Sequence, residues 1–251
     1  MAYIIKLLTF SFVFSIGLLG WSHLAQAQDE GMREILVDQK RASFGNGNIR
    51  GPQPEALPAI GHLITADFAV RSASIVGDTR DRRTRLKEID DMVENAIKLA
   101  PSYGIQLSFG DKVVEDLNLR NFRGYTAANM LGAGRADTSQ IKFLIKVPLD
   151  AQSDMKEIEK KMNDFVKKVK PVGRAEFLGK GDITLSVVAP DQYRGDVIGA
   201  IAKDASEVAS RIGADYAVQL DGMQERVEWI RWGGKQVMLY IPYKMRVLPK
   251  G

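Results

Sequence analysis

Residues 140–213, QIKFLIKVPLDAQSDMKEIEKKMNDFVKKVKPVGRAEFLGKGDITLSVVAPDQYRGDVIGAIAKDASEVASRIG, decide the architecture. Ile141, Phe143, Ile145 and Val147 alternate with Lys142, Leu144 and Lys146, a period of two that places the first set on one face of a strand. Met155, Ile158, Met162, Phe165, Val166 and Val169 then recur at steps of three and four, as the apolar stripe of a helix does. Ile183, Leu185 and Val187 alternate again, and Val197, Ile198, Ile201, Ala205, Val208, Ala209 and Ile212 draw a second helical stripe that Gly213 is placed to end. Two striped helices need an apolar sheet face to cover. The expected fold class is therefore α+β (mixed α/β), with helices packed on a largely antiparallel sheet and built from strand-helix-strand units.

Upstream, Ile64, Ala66, Phe68 and Val70 alternate, the phase slips, and Ala73 and Ile75 continue, which predicts a long strand with a bulge. Leu86, Ile89, Val93, Ala96, Ile97 and Ala100 mark a helix over 81–100, stopped by Pro101 and Gly104. Ile105, Leu107 and Phe109 form a return strand. Residues 111–139 show no sustained period and are read as irregular; Gly132-Ala133-Gly134 lacks the third glycine and the preceding strand of a dinucleotide motif, so a mobile loop is expected there. Downstream, Val218 and Leu220 predict a short strand, and Val227 to Trp232 another. Gly233-Gly234 marks a hairpin, and Val237, Leu239, Ile241, Tyr243, Met245 and Val247 alternate without a break. Pro242 cannot donate to a ladder, so this last run is expected to be an edge strand with Met238 and Tyr240 outward.

Residues 1–27 have the form of a secretory signal peptide: Lys6, an apolar run from Leu7 to Leu19, and the small-x-small pattern Ala25-Gln26-Ala27. The apolar run is shorter than the ~20 residues of a spanning helix. Export to the periplasm is expected, with an uncleaved N-terminal membrane anchor or full secretion as alternatives. Removing 27 of 251 residues leaves 224, enough for a sizeable core. Residues 28–63, rich in Gly and Pro, read as a flexible lead segment in which Arg33 to Val37 could dock as a strand. Residues 64–248 form the body.

The formal charge of +4 is a small excess and does not indicate a nucleic-acid binder. With no cysteine, disulfides, thiolate nucleophiles and Cys-ligated metals are excluded. His62 is the sole histidine outside the leader, so a triad or a His-rich metal site would rest on it alone; it reads as a polar loop residue beside Gly61. No catalytic, cofactor-binding or metal-binding residue is assigned and no cofactor is expected. Arg80, Arg82, Arg83 and Arg85 crowd the start of the first helix, a candidate anion or partner site set against a solvated charged face. The lysines at 160, 161, 167, 168 and 170 read as a solvated helix face. Glu88, Asp91 and Glu94 lie at steps of three and would carry acid/base work in any hydrolase reading. Trp229 and Trp232, three apart, are expected on opposite sides of their strand, one in the core and one at an interface.

Ala66-Asp67-Phe68-Ala69-Val70 running through Ser74-Ile75-Val76 into the helix at 81–100, together with the alanine-spaced helix Gly195 to Gly213 and the final run Val237 to Val247, resembles the bacterial SIMPL-domain family of periplasmic proteins over roughly 64–248. The resemblance implies an exported α/β domain linked to envelope or oxidative-stress defence, in some members oligomeric, and it brings no catalytic residues. The Gly/Pro-rich lead segment and the Trp229–Trp232 hairpin depart from the family pattern. A non-enzymatic envelope protein that forms a homo-oligomer or joins an envelope component is the expectation. An envelope hydrolase and a binder of anionic lipid or cell-wall polymer are the alternatives.

Overall fold

A computed structural model describes residues 34–37, 60–110 and 114–250. The expected signal peptide and most of the lead segment lie outside the described residues. Those described form strands β1 (Glu34–Val37), β2 (His62–Thr65), β3 (Phe68–Gly77), β4 (Gln106–Phe109), β5 (Glu115–Asp116), β6 (Leu131–Ala133), β7 (Arg135–Pro148), β8 (Ala175–Val188), β9 (Tyr216–Asp221), β10 (Glu228–Arg231), β11 (Gln236–Tyr240) and β12 (Lys244–Pro249). The α-helices are α1 (Arg82–Leu99), α2 (Phe122–Asn129), α3 (Met155–Lys168) and α4 (Arg194–Ile212).

The large sheet runs β1-β8-β3-β7-β4-β5, with β6 paired to β7. β3 pairs antiparallel with β7 along its whole length and with β8 on its other side, and β7 pairs antiparallel with β4. β3 and β4 are therefore parallel with β7 between them, and β7 and β8 are parallel with β3 between them. These two interleaved strand-helix-strand units make a ferredoxin-like arrangement, and the fold is α+β with antiparallel pairing throughout the large sheet. Helix starts follow from their caps. Asp81 accepts from Thr84 N at 2.8 Å to open α1, and Asp154 accepts from Lys156 N at 2.9 Å to open α3.

Two apolar cores lie on one face of the large sheet. The first gathers Ala73, Ile75, Ile141, Phe143 and Ile145 under Ile89, Met92 and Val93 of α1 and Ile158, Met162 and Phe165 of α3. The second gathers Val37, Leu185 and Val187 with Val197 and Ile201 of α4 and with Val237 and Leu239 of β11. β11 is the middle strand of a small sheet, β10-β11-β2, while among the described residues β9 and β12 pair only with each other in a two-stranded arm.

Several expectations change in this frame. The run Val237 to Val247 is two strands, β11 and β12, in different sheets, because Pro242 stands between them and cannot donate to a ladder. β11 is thus central rather than an edge. The alternation from Ile64 is likewise two strands: Ala66 belongs to the second core, and from Ala69 onward the residues Ala69, Ala73 and Ile75 face the first. The apparent phase slip is this change of sheet. A ladder irregularity does occur between Val70 and Ser72, but Val70 opposes Thr184 and Ser72 opposes Lys180, so the extra residues belong to β8, at 181–183. Within 111–139, read as irregular, the structure has α2, only eight residues long and too short for its stripe to repeat. The Gly132–Gly134 segment is a β6–β7 hairpin, with Gly134 at φ 81° in the turn and Thr138 Oγ1 donating to Ala133 O at 2.8 Å. His62 lies in β2, not in a loop.

On the face opposite the cores, Lys146 of β7 is only 2% exposed. Its Nζ donates to Glu34 Oε2 at 2.5 Å and lies 4.0 Å from the centre of the Phe68 ring, while Ser186 Oγ donates to Glu34 Oε1. Glu34 thus ties β1 to β7 and β8 across the intervening β3. Removing one partner of a buried pair leaves an uncompensated charge and costs about 3–5 kcal/mol, whereas replacing both with apolar groups of similar volume is often near neutral. Glu34→Ala is expected to lower unfolding stability by that amount in urea titrations, and Glu34→Leu with Lys146→Met to recover most of it. A loss below about 1 kcal/mol for the single change would show that the pair does not hold β1.

Candidate functional site

The four arginines at the start of α1 do not act as one group. Arg85 is buried, and its guanidinium is spent on the turn before its own helix: Nε donates to Ser139 Oγ at 3.0 Å and NH1 to Thr79 O at 2.7 Å. Arg80, Arg82 and Arg83 are exposed and enter no ion pair among the described residues. Asp78 turns instead to Arg174, which holds it at 2.7 and 2.8 Å, with Arg135 at 3.7 Å. The carboxylates at steps of three are likewise engaged. Glu88 accepts from Thr79 Oγ1 at 2.5 Å and from Arg174 N at 3.3 Å, in a space kept by Gly173, where a Cβ would stand 2.0 Å from Glu88 Oε1. Asp91 pairs with Lys87, and Glu94 with Lys98, each at 2.6 Å. His62 Nε2 lies 4.0 Å from Asp196 Oδ2. Among the described residues no three potential ligand side chains gather as a metal site, and no helix is long and apolar enough to cross a membrane.

The interface residues divide as well. Met238 is 7% exposed and buried, against the expectation of an outward side chain, because β11 has a neighbour on each side and Leu63 and Ile230 stand opposite it on β2 and β10. Tyr240 is half-buried, and its hydroxyl donates to Glu228 Oε2 at 2.8 Å across the β10–β11 ladder. Trp229 (36% exposed) and Trp232 (56% exposed) are both at the surface, so neither is the core residue expected of one of them. The opposite-faces argument needs a strand through both, and β10 ends at Arg231.

The arm presents a different surface. Tyr216, Val247 and Leu248 are exposed on a two-stranded ribbon whose outer edges have no strand partner among the described residues. Gly222, at φ 91° directly after β9, allows the two strands to close on one another, since a Cβ there would meet Pro242 O at 2.6 Å.

A pocket of about 350 Å³ opens between α3, the irregular part of β8 and the end of β10. Arg71, Arg231 and Lys156 share it with Glu159 and Asp182, and Met155 and Ile183 supply apolar wall. Arg71 is 8% exposed; NH1 donates to Asn163 Oδ1 at 2.7 Å and NH2 to Glu159 Oε1 at 3.1 Å, while Nε has no partner among the described residues. Arg231 donates from Nε, NH1 and NH2 to the carbonyls of Gly233, Ile183 and Gly234, at 3.0, 2.7 and 2.9 Å. Burial pushes its pKa below the usual arginine value, and the nearby Asp182 pulls it back up. Sequence reading passed over this group. The available signal was Arg71 itself, a charge at an inward position between Ala69 and Ala73; residues 181–183 and 231 reach it only through the fold.

No family model matches the chain, and no match is found among curated proteins or solved structures.

The Asp78 cluster carries a pH signature. The hydrogen bond from Arg174, with its charge and that of Arg135, holds the Asp78 carboxyl below its ordinary value of 3.8. A folded pKa below the unfolded one contributes stability above the unfolded value and loses it as pH falls through the folded value. In denaturant titrations from about pH 6 down to about pH 2, Asp78→Asn is expected to flatten the acid limb of the stability curve. An acid limb identical to that of the parent would refute the coupling.

Proposed function

We propose that this chain is an exported envelope protein with a non-catalytic role, and that its copies join to one another through the β9–β12 arm. The observation that carries the reading is the arm itself: two strands that, among the described residues, pair only with each other and have no strand on either outer edge, with Tyr216, Val247 and Leu248 exposed. A lone two-stranded ribbon is marginal in water, and an open edge templates further pairing. Charge selects the partner edge. β12 bears Lys244 and Arg246, whereas β9 ends at Asp221, and within the chain Lys244 stands opposite Asp221 and Arg246 NH2 lies 3.1 Å from Asp221 Oδ2. Pairing β12 with β12 would bring cations together. Pairing the β12 edge of one copy with the β9 edge of the next would repeat the opposition already made inside the chain. That contact is head-to-tail, of the kind that closes into rings or runs on.

Export rests on the leader-like pattern of residues 1–27. From the resemblance to the SIMPL-domain family we take the wider setting, envelope and oxidative-stress defence. A second reading, contact with anionic lipid or cell-wall polymer, draws on the exposed Arg80, Arg82 and Arg83.

Sedimentation of the protein lacking residues 1–27 is expected to show an oligomer that dissociates when Lys244→Glu and Arg246→Glu are combined, with the thermal midpoint little changed. A monomer throughout the micromolar range, or an oligomer indifferent to both changes, would sink the assembly reading. If Arg82→Glu with Arg83→Glu abolishes sedimentation with anionic vesicles while leaving the oligomer intact, the second reading gains its support.

A further inference from the structure

The pocket between α3, β8 and the end of β10 has a charge pattern that the fold does not itself satisfy. Arg71 is more than nine-tenths buried, yet among the described residues its only ionic partner is Glu159, whose side chain is 56% exposed. Arg231 is partly withdrawn from water, its partners are three neutral carbonyls, and no carboxylate stands within 4.0 Å of it among the described residues. Lys156 adds a third cation to the same wall. Met155 and Lys156 are the first two residues of α3, so the positive end of that helix also faces this region. Among the described residues Arg71 Nε–H has no hydrogen-bond partner, though it is itself closed off from the surface, and both guanidiniums have more N–H groups than the partners named for them, so donors on their terminal NH1 and NH2 groups remain for an incoming acceptor.

Planar guanidinium forks match oxyanions. The remaining lining decides which oxyanion. Glu159 and Asp182 stand in the same wall and repel a dianion more than a monoanion. Met155 and Ile183 offer apolar contact that an inorganic anion cannot use. The volume, about 350 Å³, falls at the small end of ligand pockets. We propose that this pocket binds a small organic monocarboxylate, its carboxylate engaged by Arg71 and Arg231 and its carbon chain against Met155 and Ile183. The irregularity of β8 is the device that makes room: three residues, 181–183, stand opposite the single residue Arg71, which lifts Asp182 and Ile183 out of the ladder and into the pocket wall.

The site is independent of the arm, so its test does not depend on assembly. The full chain is titrated at low ionic strength with butyrate, with acetate and with inorganic phosphate. Binding is followed by calorimetry and by the Nε–H resonances of Arg71 and Arg231. Butyrate is expected to shift both resonances and to bind more tightly than acetate, and phosphate to bind weakest. Because Arg71 and Arg231 are embedded, the variants are made at exposed wall positions. Lys156→Glu is expected to weaken butyrate, and Asp182→Asn to tighten it, each by about threefold to tenfold, with thermal midpoints close to that of the parent. Opposite shifts from these two changes distinguish a charge-tuned site from general loss of structure. The proposal is overturned if butyrate moves neither arginine resonance at tens of millimolar, if both variants bind as the parent does, or if phosphate binds more tightly than butyrate.

Discussion

The chain crosses from one sheet to another at Ala66-Asp67, and the hydrogen bonds at that corner determine most of what surrounds it. Ala66 N donates to Lys235 O in the hairpin of the small sheet, while Asp67 N donates to Ser186 O of the large one. Asp67 O accepts from Leu149 N, and the Asp67 carboxylate accepts from Val188 N at 2.7 Å. Backbone polar groups cannot be left unpaired in an interior, so a chain that changes sheets must supply partners at the point of change. Here β7, β8 and the β10–β11 hairpin supply them. That arrangement brings the small sheet beside β8 of the large one, where Arg231 of β10 donates to Ile183 O. Arg71, four residues on from Asp67, lines the pocket between α3, β8 and the end of β10.

Among the described residues three cations are buried, and each is answered differently. Lys146 has a full ionic partner in Glu34, a hydroxyl beside it and an aromatic face above it. Arg85 has no carboxylate and is distributed over a serine hydroxyl and the carbonyls of the turn before its helix. Arg71 has an amide oxygen and one half-exposed carboxylate, with a donor left over. The first two serve the architecture, since their donors end on the elements they join. The third has an unpartnered Nε–H that is itself closed off from the surface, while the side chain as a whole lines a pocket, and the proposed binding site rests on that difference.

A ferredoxin-like strand order says little about activity, because such frameworks carry many unrelated sites. Function has to be sought where side chains depart from what packing requires. Among the described residues those places are the arm, where apolar side chains are exposed and the ladder edges have no strand partner, and the pocket beside α3, where charge is gathered without full pairing. The first fits contact between macromolecules and the second fits a small ligand, and neither requires the other.

Local periodicity was enough to read β7, α3, α4 and the last residues of β8, because a strand of 14 residues and helices of 14 and 19 residues repeat their stripes several times over, whereas the irregularity at 181–183 interrupts β8. It also carried the fold class and the docking of β1 as a strand. Periodicity did not mark where one strand gives way to another, so β2 with β3 read as one strand with a slipped phase, and β11 with β12 as one unbroken run, although each pair is divided between sheets. Burial of Met238, exposure of both tryptophans, the separation of Arg85 from its neighbours and the meeting of Arg71 with Arg231 depend on contacts between residues as many as 175 positions apart. Such contacts have no imprint on local order: a side chain's pattern along the chain tells which way it points, and only the packing of distant segments tells what it meets there.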